Sequence, residues 1–161
     1  MAITTFSGPV KSNAGFISGT DAVAASVTSS TLAITSANID AYNGKVIPLN
    51  RAGGITVTLP AATGSQAVLT FVVGTTFTSN GVIQVANATD VMAGSAAVGG
   101  TTGSVFSTLP ASDTITMNGS TTGGLAGSYI ELIDIAAGDW IVRAALVGSG
   151  TPATPFSAAV S

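Results

Sequence analysis

Residues Ile55-Thr56-Val57-Thr58-Leu59 alternate strictly between apolar and hydroxyl side chains, and Pro60 follows at once. A period of two places Ile55, Val57 and Leu59 on one face of a strand and the two threonines on the other. Pro60 has no N–H to give to a ladder and ends the strand. The same grammar recurs along the chain. Asn43-Gly44, Asn80-Gly81 and Asn118-Gly119 are tight-turn pairs. Strands are predicted at Lys45 to Leu49, Val82 to Ala86, Thr114 to Met117, Tyr129 to Ile135 and Trp140 to Val147. Ala137-Gly138-Asp139 turns the last two into a hairpin, in which Trp140, Val142, Ala144 and Leu146 share a face and Arg143 points the other way, toward solvent or a partner. Ala67 to Val73 is apolar on both faces and predicts a central strand covered on both sides. Residues 93 to 104, with Gly94, Gly99, Gly100 and Gly103, read as a loop.

About seven to nine short strands with frequent turns predict an all-β fold, an antiparallel β-sandwich or barrel. No exact short-period repeat is present, which argues against a solenoid. Residues 1–40 are rich in Ser, Thr, Ala and Gly, with isolated apolar anchors at Ile3, Phe6, Val10, Phe16 and Ile17. They predict an extended N-terminal arm that docks on this chain or a neighbour. The alanines at 22 to 25 favour a helix, but the Ser, Thr and Val residues after them oppose it, and Val27, Leu32 and Ile34 read as strand edges. The expected organisation is an arm over 1–40, a core over 41–148 and a Gly/Pro/Thr/Ser-rich tail over 149–161, with Phe156 as its one large anchor.

The side chains present exclude much chemistry. There is no His and no Cys, so Ser–His–Asp and Cys–His catalysis have no base or nucleophile, and most zinc, copper and iron sites lose their usual ligands. Lys11, Lys45, Arg51 and Arg143 are the four cations in a chain of net charge −3. They are too few and too scattered for a nucleic-acid footprint or a polybasic membrane patch. No apolar run approaches the ~18 residues of a membrane helix, so the mean hydropathy of +0.60 reflects Ala, Val and Ile in strands. The first residues lack the basic and apolar regions of a secretory signal, and synthesis in the cytoplasm is expected. Only 7% of residues are charged, against roughly 25% in a typical soluble domain. So few charges fit a chain that keeps much of its surface against a partner.

Carboxylates remain the sole catalytic option. Glu131, Asp134 and Asp139 lie near one hairpin, where a glycosidase-like pair or a calcium site would need them to converge. Asp139 sits in a turn, where Asp is favoured for local hydrogen bonding, and no loop carries the alternating Asp/Asn of a calcium motif. The expectation is a chain that is not an enzyme and holds no cofactor or metal.

Several segments resemble small virion structural proteins of tailed bacteriophages, especially those of marine and cyanobacterial hosts. They are Thr5-Phe6-Ser7-Gly8-Pro9-Val10-Lys11-Ser12 with Asn13 to Phe16; Gly54 to Gly64 leading into Leu69 to Val73 and Val82 to Val85; Gly127 to Leu132 with Gly138 to Val142; and Gly148 to Ser157. Together they cover most of the chain. The resemblance implies a non-enzymatic decoration (cement) protein on the outer surface of the capsid. Its partner would be the major capsid protein, it would often be a homotrimer, and it would bind neither nucleic acid nor membrane. It places the capsid contacts in the arm, at Phe6, Pro9, Val10, Lys11, Phe16 and Ile17. A tail-fibre, head-fibre or adhesin module binding host surface glycans shares the same all-β, Thr/Gly-rich character and is the alternative.

Overall fold

The computed structural model describes residues 23–160. Strands are β1 (Thr31–Ala33), β2 (Val46–Leu49), β3 (Thr56–Thr58), β4 (Val68–Val73), β5 (Gly81–Gln84), β6 (Val91–Val98), β7 (Ser104–Ser107), β8 (Thr114–Met117), β9 (Tyr129–Ala136), β10 (Asp139–Leu146) and β11 (Phe156–Ser157). Apart from one turn of 3-10 helix at Ile39–Ala41, the described chain is strands and connections. A six-stranded sheet runs β2-β4-β9-β10-β6-β7 and a five-stranded sheet runs β1-β3-β5-β8-β11. The two pack face to face and do not close into a barrel.

The sheets are mixed rather than antiparallel. β1 with β3, β3 with β5, β2 with β4, and β6 with β10 all pair parallel. The cause is the path of the chain. From β1 to β6 consecutive strands alternate between the sheets, so each return to a sheet follows a crossing and runs in the direction of the previous visit. The chain therefore coils. Thr31 lies beside Thr56 and Thr56 beside Val82, while Val46 lies beside Thr70, a rung of about 25 residues. The coil is solenoid-like in space without any repeat in sequence, because each rung needs only alternating apolar residues. Hairpins appear where two successive strands share a sheet, at β6-β7 and β9-β10.

The inward rows of the two sheets form one core. Ile47, Leu49, Leu69, Phe71, Ile130, Leu132 and Trp140 face Val57, Ile83, Ile115 and Met117 across the layer, all fully buried. β4 is central in its sheet, as expected, but covered on one side: Leu69, Phe71 and Val73 are buried while Val68, Thr70 and Val72 are half-buried. The segment read as a loop at 93 to 104 is a loop only over 99–103; β6 occupies its first half, and small residues suit it there. A side chain at Gly94 (φ +152°) would run into the Val142 carbonyl of β10.

The described part of the segment read as an arm lies on this chain. Ala24 N–H donates to Val46 O (2.7 Å) and Val27 N–H to Pro48 O (2.8 Å), along the free edge of β2. β1 then joins β3, and Ala24, Val27 and Ile34 are buried. At the other end β11 pairs antiparallel with β8 and buries Phe156.

Candidate interaction surface

Every second residue of a strand points outward, so each sheet presents an outer face. On the six-stranded sheet the registers align these residues into three rows. One row is Val68, Ile133, Ile141 and Ala93. The next is Val46, Thr70, Glu131, Arg143, Ser95 and Ser107. The third is Pro48, Val72, Tyr129, Ala145, Ala97 and Val105. Two apolar rows thus flank a polar one. Exposure is high for Val105 (71%) and for Ile135 (54%) at the end of β9. The charges in the middle row answer each other: Arg143 Nη1 lies 3.8 Å from Glu131 Oε1, and the Tyr129 hydroxyl donates to Glu131 Oε2 (3.3 Å). Arg143 points outward as its strand phase predicts, and it stands on the most apolar face of the described molecule.

The three acids named as a possible catalytic or calcium cluster do not converge. Glu131 faces out, Asp134 faces into the core, and Asp139 is exposed at the start of β10. Among the described residues no group of three or more acids is placed to hold a metal ion. The buried carboxylates hold loops instead. Asp134 accepts from the backbone N–H of Thr63 (3.1 Å), Gly64 (2.7 Å) and Ser65 (2.9 Å) and from the Ser65 hydroxyl (2.6 Å). Burial alone pushes the Asp134 carboxyl up. The Ser65 hydroxyl and the Ser65, Gly64 and Thr63 amides outweigh it, and the group titrates below its ordinary value. Asp90 accepts from Ala62 N–H (2.9 Å) and the Asn87 amide (2.9 Å), so the loop after Pro60 is pinned twice. Asp113 accepts from the N–H of Ala159 (2.8 Å) and Val160 (3.2 Å) and fixes the C-terminal strand to β8. Sequence reasoning missed all three roles. An isolated Asp before or within an apolar strand is their one sequence signal.

The pinned loop forms one wall of a cleft of about 580 Å³ between the ends of the sheets. Ile34, Ile39, Leu59 and Pro60 line it, with Asp40, Asn43, Thr63 and Ser65 supplying polar groups. The arm residues Phe6, Pro9, Val10, Lys11, Phe16 and Ile17 lie outside the described residues. No helix among the described residues is long and apolar enough to cross a membrane. Comparisons with protein-family models, with curated proteins and with solved structures find no match for this chain.

Proposed function

We propose that this chain is a non-enzymatic structural protein of a tailed-phage virion, a decoration (cement) protein that binds the outside of the assembled capsid and stabilises contacts between major capsid protein subunits. The observation that carries the reading is the outer face of the six-stranded sheet, with two apolar rows and charges paired to each other. Six strands spaced ~4.8 Å apart make a face roughly 25 Å across, and with strands about 20 Å long its area is roughly 500 Å², a large share of the ~800 Å² per partner of a stable interface. Uncharged, shape-dependent area is what a clamp needs, and a protein that binds only the assembled lattice stabilises it by mass action. The buried acids support the same reading, since Asp90, Asp113 and Asp134 are committed to backbone amides.

The test is binding of the purified chain to phage heads that lack it, read by co-sedimentation, with the copy number on virions from gel densitometry. Hundreds of copies per head support decoration, and a handful support a fibre. Deleting residues 1–20 is expected to abolish capsid binding while leaving a folded core. Full occupancy by the truncated chain removes the arm from the contact.

A second reading, an adhesin or fibre module for host glycans, rests on the cleft. Its Asp40 carboxylate and the Asn43 side-chain N–H groups, the Asn43 Oδ1 being taken by Val68 N–H, offer hydrogen bonds beside apolar walls. Glycan-array binding that is lost on Asn43→Ala, with capsid binding intact, selects it.

A further inference from the structure

A two-sheet fold that does not close has four edge strands, and each edge leaves backbone groups unpaired. Three of the four are managed in this protein. The free side of β2 is covered by Val23 to Val27. The outward carbonyls of β1 are taken by side chains: the Ser29 hydroxyl donates to Thr31 O (2.6 Å) and the Asn38 amide to Ala33 O (3.1 Å). β11 is two residues long. The fourth edge, β7, has none of these devices among the described residues.

The direction of its free groups follows from the register. Thr108 N–H donates to Gly94 O (3.0 Å), directly opposite, so Phe106 and Ser104 also bond toward β6. The N–H and C=O of Val105 and Ser107 therefore point away from the sheet. Val105 is 71% exposed and Leu109, just beyond the strand, 74%. Phe106 points into the layer between the sheets but is only partly buried, at the open end of the core. No charged residue occurs between Asp90 and Asp113. An edge that avoids pairing usually carries a lysine or an inward charge, and this one carries neither.

We infer that β7 pairs antiparallel with β7 of a second copy of this chain, across a two-fold axis at Phe106. Backbone chemistry fixes the occupant as an extended strand. The uncharged stretch around β7 lets that strand be an identical one, since two copies meet there without like-charge repulsion. With Val105 opposite Ser107 of the second copy, about four main-chain hydrogen bonds form. The two Phe106 rings meet over the open end of the core, and the Pro48-to-Val105 row meets the polar row that ends at Ser107 of the second copy. The pairing is isologous and closes at two copies, unlike the threefold that the resemblance implies.

The test is the mass of the full chain in solution, by sedimentation equilibrium over a range of concentrations. The expected result is a concentration-dependent doubling of the 15.6 kDa chain mass. Val105→Pro removes an outward N–H that β6 does not use, which an edge strand tolerates. It is expected to leave the far-UV spectrum and thermal midpoint unchanged and to abolish the doubling. Should V105P lose cooperative unfolding, Val105→Lys decides in its place, because it keeps the N–H and sets one cation beside the other at the axis. A single-chain mass at all concentrations overturns the inference, as does a threefold mass or a doubling that survives both variants. Because none of these readouts involves a capsid, they fail or succeed independently of the decoration reading.

Discussion

The two outer faces of this molecule are built on the same pleat and have opposite characters. On the five-stranded sheet the outward rows are Thr31, Thr56, Val82 and Thr116, then Ala33, Thr58 and Gln84, with Thr114 at the end of the second row buried against Asp113. Threonine gives a strand its β-branched stiffness and still offers water a hydroxyl, so this face needs no cover. On the six-stranded sheet the same positions hold Val, Ile, Ala, Pro and Tyr on either side of one polar row. Thr, Val, Ile and Tyr all suit a strand, so propensity does not set the two faces apart. What separates them is hydration, and apolar rows left at the surface are the feature on which the decoration reading rests.

The sharpest way to break this contrast is to charge each face in turn. On the decoration reading, Ala145→Glu, at an exposed site in an apolar row, is expected to weaken capsid binding about 100-fold or more. Thr31→Glu, the matched change on the other face, is expected to leave it within about threefold. Co-sedimentation at fixed ionic strength checks both, and equal losses erase the distinction. The next effect is on stability and compares the two sides of β9. Asp134→Asn withdraws a charged acceptor from several part-buried amides and is expected to cost about 2 kcal/mol, read from the urea midpoint. Because the folded carboxyl titrates below its ordinary value, its contribution is complete above the unfolded carboxyl value near 4. It is lost as pH falls through the folded value. The wild type should lose stability on acidification with a steeper slope than D134N. The smallest effect is expected on the outward side. Glu131→Gln breaks an ion pair whose arginine is 74% exposed, and its stability change should stay within about 0.5 kcal/mol. A larger loss from E131Q than from D134N reverses the assignment of inside and outside.

Alternation and turn chemistry made most strands legible. Val46–Leu49, Thr56–Thr58, Thr114–Met117 and the Tyr129–Leu146 hairpin stand where the pattern puts them. Even the error at β4 is informative. Val68 and Val72 read as covered because they are apolar, yet they stand half-buried on the outer face. β6 was hidden because Ala93, Gly94, Ala96 and Ala97 show no contrast of size or polarity for a period of two to act on. The parallel pairings were hidden for a different reason: strand period says nothing about which sheet a chain enters next. The roles of Asp90, Asp113 and Asp134 depend on amides 28 to 71 residues away in sequence and have no local signature.

The insertion of the β9-β10 hairpin between β4 and β6 sets an order of events during synthesis. β4 and β6 stand three strand spacings apart, ~14 Å, and nothing earlier in the chain fills that gap. A nascent chain that has emerged as far as β8 holds the five-stranded sheet nearly whole, yet its other layer is two separate pieces with two facing open edges. The layer becomes continuous only when the residues up to Leu146 have left the ribosome. Until then the same apolar rows that later serve the outer surface sit beside unpaired backbone, the combination most prone to aggregate. Late closure therefore predicts a yield more sensitive to truncation and slow translation near the C-terminal third than to comparable delays in the first coil.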